Sequence, residues 1–385
     1  MKKTLSIFIF LSVMLTSTWG QTEVSQFRPG STLEGVNYFL PKMLFKVVVV
    51  AEKHTTIPGE YAGYADRYLR LRDVPTQQQD TWNIKSVTMY PFGVPDPSKA
   101  YNVKIKSKTS APLVSLTDDG LLLAINTESE PEPLPELPKP VAASKPVNGR
   151  DFMTQEILAA GSSAKMAQLT AEEIYDIRDS RNALLRGEAD NTPKDGAQLK
   201  LMLDGLAEQL NALESLFKGQ TLTSTEVFTF DYDPTGILLP VSGSDESLSV
   251  SDDSVVGYAS SIQKPMKTEG RALLCRFSKR LGLVETDDLS GDPVWIDIKL
   301  TGNLPASEPD PDVQRKQAKM EKGVWVNQPA RALVTLSNPQ GQLCQLDVAI
   351  PQFGTTEVLS NALFDKKPET RVTFHQHTGS VKRLE

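Results

Sequence analysis

The sequence has 385 residues, 39% of them hydrophobic and 23% charged, so it carries enough apolar material for one or more buried cores and too much for a disordered chain. Two cysteines and three histidines exclude a disulfide framework or a metal cluster, both of which need many thiols or imidazoles. Lysine and arginine number 41 against 48 acidic residues, which leaves no surplus of positive charge to neutralise a phosphate backbone and argues against nucleic acid as a partner.

At the N-terminus, Lys2 and Lys3 precede an apolar run from Leu5 to Leu15, and Thr18 and Gly20 place small residues at −3 and −1 before Gln21. This pattern predicts a cleavable secretory signal over residues 1–20. The run is well short of the roughly 20 apolar residues that span a bilayer, and no later segment reaches that length, so the mature chain is expected to have no transmembrane span. No cysteine lies near the cleavage site to accept a lipid.

Residues 21–127 read as a β-rich domain. The run Leu44 to Val50 (LFKVVVV) suits a strand buried on both faces. From Tyr101 to Lys108 the chain alternates, with Tyr101, Val103 and Ile105 expected on the core side and Asn102, Lys104 and Lys106 in water. Asp119-Gly120 between two apolar runs predicts a hairpin with a type I′ turn. Between Pro58 and Leu69 the residues Tyr61, Tyr64, Ala65, Tyr68 and Leu69 fall on one face of a short helix. The three tyrosines are a candidate interaction surface for a sugar, although such a stripe more often packs on a sheet.

Residues 128–148 hold prolines at 131, 133, 135, 138, 140 and 146, and their fixed φ predicts an extended polyproline-like spacer between domains. A docking motif for a proline-binding domain is the lesser alternative. Residues 149–219 should form a helical hairpin. Its first helix is expected to open at a capping box, Thr170 with Glu173, and to stop at Gly187. Its second runs from about Ala197 to Lys218 with a wide stripe that includes Leu199, Met202, Leu203, Leu206, Leu210, Leu213, Leu216 and Phe217. Residues 220–385 read as a second β-rich domain, with strands around Phe228 to Tyr232, Ala272 to Phe277, Pro293 to Leu300, Ala330 to Leu336, Gln342 to Ile350 and Glu369 to Phe374. The expected fold is therefore mixed but mainly β: two β-rich domains, sandwich or barrel-like, a Pro-rich linker, and an antiparallel helical hairpin packed on the C-terminal part.

The phrases EGVNYFLPK (Glu34 to Lys42), PGEYAGYADRYL, IRDSRNALLRGEAD followed by LDGLAEQLNALESLFKG, CRFSKRLGLVETDDLSGDP (Cys275 to Pro293) and IPQFGTTEVLSNALF (Ile350 to Phe364) form an ordered set. In that combination the chain resembles a family of exported proteins from Gram-negative bacteria, catalogued as domain of unknown function forty-eight thirty-one. The resemblance implies location and architecture and transfers no catalytic residue, ligand or cofactor. The acidic run Ser242 to Ser254 and the His-Gln-His near the C-terminus are expected to fall outside the family pattern.

Motifs for nucleotides, dinucleotides, esterases and zinc proteases are absent from the sequence, and no cofactor is expected. Ser-x-x-Lys occurs at Ser162/Lys165, Ser215/Lys218 and Ser261/Lys264 without the partners a Ser-Lys enzyme needs. The run Asp231 to Gly236 begins like a calcium loop but places Ser242 where the bidentate Glu belongs, so a turn is expected instead. His375 and His377 are two apart, a spacing that on a strand aims both imidazoles to one side and suits two metal ligands. Cys275 is expected on a face with Leu273 and Phe277, and Cys344 on one with Leu346, Val348 and Ile350. They are either buried thiols or one cross-strand disulfide.

The reading that results is an exported, non-enzymatic binding or assembly protein of the cell envelope, its partner an envelope protein or a glycan. The alternative is an envelope hydrolase that acts on glycan or peptide through two carboxylates about 5–10 Å apart, one with a raised pKa.

Overall fold

The computed structural model describes residues 23–26, 35–104, 113–190, 192–193, 195–235, 270–302, 323–360, 363 and 370–385. The expected signal segment, the acidic run 242–254 and the Ser261/Lys264 pair lie outside these residues.

In chain order, β1 (Glu23–Gln26) and β2 (Val36–Ile57) are followed by the short helix α1 (Ala65–Leu69), β3 (Gln79–Lys104), β4 (Val114–Leu116) and β5 (Leu122–Ile125). The helices α2 (Gln155–Leu158), α3 (Ser163–Arg186) and α4 (Gly196–Lys218) come next, then β6 (Gln220–Tyr232), β7 (Gly270–Ser278), β8 (Gly282–Val284) and β9 (Asp292–Leu300). The chain closes with β10 (Val324–Asn338), β11 (Gly341–Leu359), β12 (Val372–Phe374) and β13 (Val381–Leu384). The strands build three antiparallel sheets in the orders β1-β3-β2-β6, β11-β10-β9-β7-β8 and β13-β12-β5-β4. The expectation of a mainly β chain holds.

The organising pair is β2 with β3, joined from Val36↔Val103 to Thr56↔Gln79. The Leu44 to Val50 run is buried on both faces as its β-branched composition requires. Val47 and Val49 enter a core with Val294, Ile296, Val334 and Leu336, while Val48 and Val50 meet Val227 and Tyr90 on the other side. At the opposite end of the pair, Tyr38, Leu40, Tyr101 and Val103 share a second core with Val324, Val326, Val372 and Phe374. Each core thus mixes residues from before and after the helices, and β6 pairs with β2 over thirteen positions, from Phe45↔Tyr232 to Ile57↔Gln220. The expected division into β-rich domains 21–127 and 220–385 is corrected accordingly: strands this long can satisfy their ladders and both faces only by recruiting partners from the distant half of the chain.

Asn327 fixes the junction between the two cores. It is fully buried, donates from Nδ2 to the carbonyls of Pro41 (3.0 Å) and Thr378 (2.9 Å), and accepts from Lys99 Nζ (3.2 Å). Nearby, Gln352 on β11 acts as a one-residue strand for β2, its amide accepting from Met43 N–H (3.0 Å) and donating to Met43 C=O (2.6 Å). Met43 lies just beyond the last residue that β6 pairs, so these backbone groups would otherwise be orphans in the interior.

The helical hairpin forms, but its first helix begins earlier than expected. Ser162 caps α3 by accepting from Lys165 N–H, whereas Thr170 is buried mid-helix and its hydroxyl donates to Met166 C=O. Gly187 closes α3 in the left-handed region and Gly219 ends α4. The hairpin is not packed on the C-terminal strands. Ile174, Ile177, Leu213 and Phe217 meet Tyr61, Ala65 and Leu69 from the segment after β2, because α4 runs directly into β6, which is bonded along β2. Burial deepens toward the C-terminal end of α4: Leu213 and Phe217 are fully buried while Leu201 is 75% exposed.

The Pro-rich segment is exposed and extended but not a free spacer. Glu132 N–H donates to Gln376 Oε1 (2.7 Å), Val141 and Thr225 exchange backbone bonds, and Val147 exchanges two with the Gln220 side chain. It is a strap laid over β6 and the β12–β13 turn. Among the described residues no helix is long and apolar enough to cross a membrane.

Candidate functional site

A groove opens where the start of β3 faces the strand ends of the five-stranded sheet. Trp82, the fourth residue of β3, donates its backbone N–H to Lys279 C=O (2.8 Å) in the β7–β8 turn, which ties the two sheets at this end. That turn needs glycine twice over at Gly282: its φ is +77°, and a Cβ would sit 3.0 Å from the Trp82 indole. With Lys53 Nζ 5.3 Å from the Trp82 ring centroid and Phe228 tilted against it at 6.5 Å, the indole is held as a rigid wall, 8% exposed.

Phe277 continues the apolar wall, and the polar side is supplied by Asn83, Asn338, Gln340 and Lys279 around a space of about 180 Å³. Asn338 ends β10 at the β10–β11 turn, where its Oδ1 accepts from the N–H groups of Gln340 and Gly341 (both 3.0 Å). Gln340 donates to Asp292 Oδ2 (2.9 Å). A wider space of about 720 Å³ adjoins it, shares Phe277, Lys279 and Asp292, and adds Arg280 and Leu281. Among the described residues, Asp292 is the one carboxylate that lines either space. Among the described residues, Lys279 and Arg280 form no ion pair. The arrangement offers the edges of two largely buried rings, side-chain amides that donate and accept, and positive charge without an ion-pair partner: a surface suited to an extended polar or acidic ligand.

The residues singled out in the sequence lie elsewhere. Tyr61 is fully buried against Phe217, and Tyr64 and Tyr68 are partly buried on the same helical core, so the stripe packs rather than presenting a platform. His375 and His377 occupy a turn after β12 and are not side by side on a strand. His377 Nδ1 accepts from Gly93 N–H (3.2 Å) and its Nε2 lies 3.3 Å from Glu132 Oε2, so both ring nitrogens already have protein partners. Burial holds the His377 pKa below its ordinary value against the pull of Glu132. No cluster of three or more metal-ligating side chains occurs among the described residues.

Cys275 and Cys344 are free thiols. They stand on β7 and β11, which β9 and β10 separate, a distance of about 14 Å at ~4.8 Å per strand and beyond the reach of a disulfide. A register shift between Leu273 and Cys275 also alters the expected face: Ala272, Leu274, Cys275 and Phe277 are buried while Leu273 is not. Burial pushes the Cys275 pKa up to about 12. In the Ser-x-x-Lys pairs, Ser162 is a helix cap, and Ser215 donates to Ala212 C=O while Lys218 pairs with Glu214. The calcium-like carboxylates are taken by lysines, Asp231 by Lys46 (2.6 Å) and Asp233 by Lys42 (3.1 Å).

The groove residues went unmarked in the sequence because they come from four separate elements and share no spacing. The signal that was legible is conformational: Asn338-Pro339-Gln340-Gly341 is a turn signature between two strands.

A family model described as Domain of unknown function (DUF4831) matches residues 34–238 and 257–382. The gap spans the acidic run 242–254, as expected, whereas His375 to His377 falls within the match. No curated protein matches the chain and no solved structure does.

Proposed function

The chain belongs to this family of unknown function, DUF4831, and from that membership and the groove's chemistry we propose an exported cell-envelope protein that acts as a non-catalytic binding or assembly module. The Trp82–Phe277 groove is its recognition surface. The observation that carries the reading is the lining itself: two aromatic walls, three amides, two unpaired cations and a single carboxylate.

A hydrolase built on two carboxylates requires one of them to be held protonated. Every carboxylate with a clear shift among the described residues moves the other way. Lys85 holds Glu52 down, Arg150 holds Glu60 down, a Thr55 hydroxyl does so at Asp80, and the Ser290 N–H at Asp288. At Glu214 burial pushes upward, but Arg178 and Lys218 together outweigh it. These carboxylates are held in ion pairs and turn bonds, which favours the binding reading over the hydrolase.

Isothermal titration of the mature protein with envelope glycan fragments and with extended acidic peptides tests the reading. Binding that weakens at least tenfold in the Asn83→Ala, Lys279→Ala double variant, with melting unchanged, supports it. Release of cleaved glycan or peptide, seen by mass spectrometry, overturns it in favour of the hydrolase. Export predicts that the mature N-terminus begins at or within a few residues of Gln21, and a membrane-embedded product that keeps Met1 contradicts that part.

A further inference from the structure

The Pro-rich strap has an ordered outward face that its role as a surface tether does not use. Between its fastenings at Glu132 and Val141, residues 133–140 make no hydrogen bond to the rest of the protein among the described residues. They are nevertheless conformationally fixed. From 130 to 140 every residue except Glu136 is either a proline, with φ locked near −65°, or precedes one and is kept out of the helical region. The resulting polyproline II form has three residues per turn, so positions three apart share a ridge. Pro131, Leu134, Leu137 and Pro140 fall on one such ridge, and Leu134 and Leu137 are 65% and 40% exposed. The ridge repeats about every 9 Å, three residues at ~3.1 Å. Glu128, Glu130 and Glu136 against Lys139 give the stretch a net negative charge.

A polyproline ridge is recognised by a shallow groove with flat aromatic walls, side-chain donors for its unpaired carbonyls, and rim charges of opposite sign. The Trp82–Phe277 groove offers such chemistry: the exposed edges of two largely buried rings, the amides of Asn83, Asn338 and Gln340, and Lys279 and Arg280, which form no ion pair among the described residues, with Asp292 as the one acidic lining residue among them. The strap is fastened along its own chain by bonds to Gln376, Thr225 and Gln220. We propose that the Leu134/Leu137 ridge of one copy docks in the Trp82–Phe277 groove of a second copy, with the strap carboxylates against Lys279 and Arg280. The inference rests on the groove's being a binding surface, and it names the ligand as an ordered acidic proline-rich segment. Strap and groove are different surfaces, so the contact is head-to-tail and each pair of copies keeps one free strap and one free groove.

Sedimentation velocity on the mature protein at low salt, over a range of concentration, is the test. Two variants at exposed positions disable one surface each: Leu134→Asp with Leu137→Asp in the strap, and Lys279→Glu with Arg280→Glu at the groove. The wild type should grow in mass with concentration, each variant alone should associate at least tenfold more weakly, and an equimolar mixture of the two variants should give a dimer that grows no further. A labelled peptide of residues 128–142, followed by fluorescence anisotropy, should bind the strap variant and not the groove variant. A wild type that stays monomeric at every concentration overturns the proposal even if the peptide binds, since the groove then serves another protein. Association unchanged in both variants also overturns it. Titration of the groove with glycans decides the broader binding reading separately.

Discussion

Single buried polar groups show how unevenly this chain satisfies its interior. Tyr38 Oη accepts from the Trp325 N–H at 3.0 Å, whereas the Tyr61 hydroxyl is buried with no hydrogen-bond partner among the described residues. Removing the first oxygen leaves a buried N–H orphaned; removing the second relieves a desolvated group. Tyr38→Phe should therefore cost about 1–3 kcal/mol in urea unfolding, and Tyr61→Phe should be neutral or stabilising. Cys275, buried with its pKa raised, should resist alkylation in the native protein while half-buried Cys344 reacts, as read by intact mass. At His377 the folded pKa lies below the unfolded value of about 6.5. The unfolded chain thus takes up the proton first, so this contribution is complete above about pH 6.5 and is lost as pH falls toward the folded pKa. The melting temperature should fall between pH 7.5 and 5.5, and His377→Gln should flatten that slope; a slope unchanged in the variant would contradict the assignment. The identity of such residues was open to sequence reading but their partners were not. Asn102, expected in water, is instead buried and donates to Asn37 Oδ1 at 2.6 Å, a pairing that depends on the register of β2 against β3.

At the scale of elements, strand positions were legible because β-branched and alternating runs constrain themselves locally. The β4–β5 hairpin forms at Asp119-Gly120, yet only Gly120 takes positive φ. Gly120 N–H donates to Thr117 C=O, so the loop is longer than the two-residue turn that the Asp-Gly pair suggested. The start of α3 was misplaced for a related reason: Thr170 and Glu173 have capping-box spacing, but the helix continues through them and the cap lies at Ser162. Which face of the hairpin is buried depends on α1 and the segment after β2, which no helix periodicity reveals. Leu213→Ala, at a fully buried position, should cost about 2–5 kcal/mol, while Leu201→Ala on the exposed half should stay within about 0.5 kcal/mol. Equal losses in denaturant unfolding would mean that the outer end of the hairpin is buried too.

For the molecule as a whole, the composition shift at residues 128–148 is real, but it marks a strap and not a boundary. Proline patterning reports local stiffness and exposure; it carries no information about whether the flanking strands pair with each other, as β2 and β6 do. The same topology assembles the groove, since Trp82 precedes the strap and Phe277, Asn338 and Gln340 follow the helices. One body from both halves is therefore the central claim. Introducing a protease site between Ala143 and Ser144, both exposed, and cutting the native protein there tests it most directly. The two fragments should remain associated through gel filtration, separate only in denaturant, and melt together in one transition. Elution as two independently folded fragments would contradict the account.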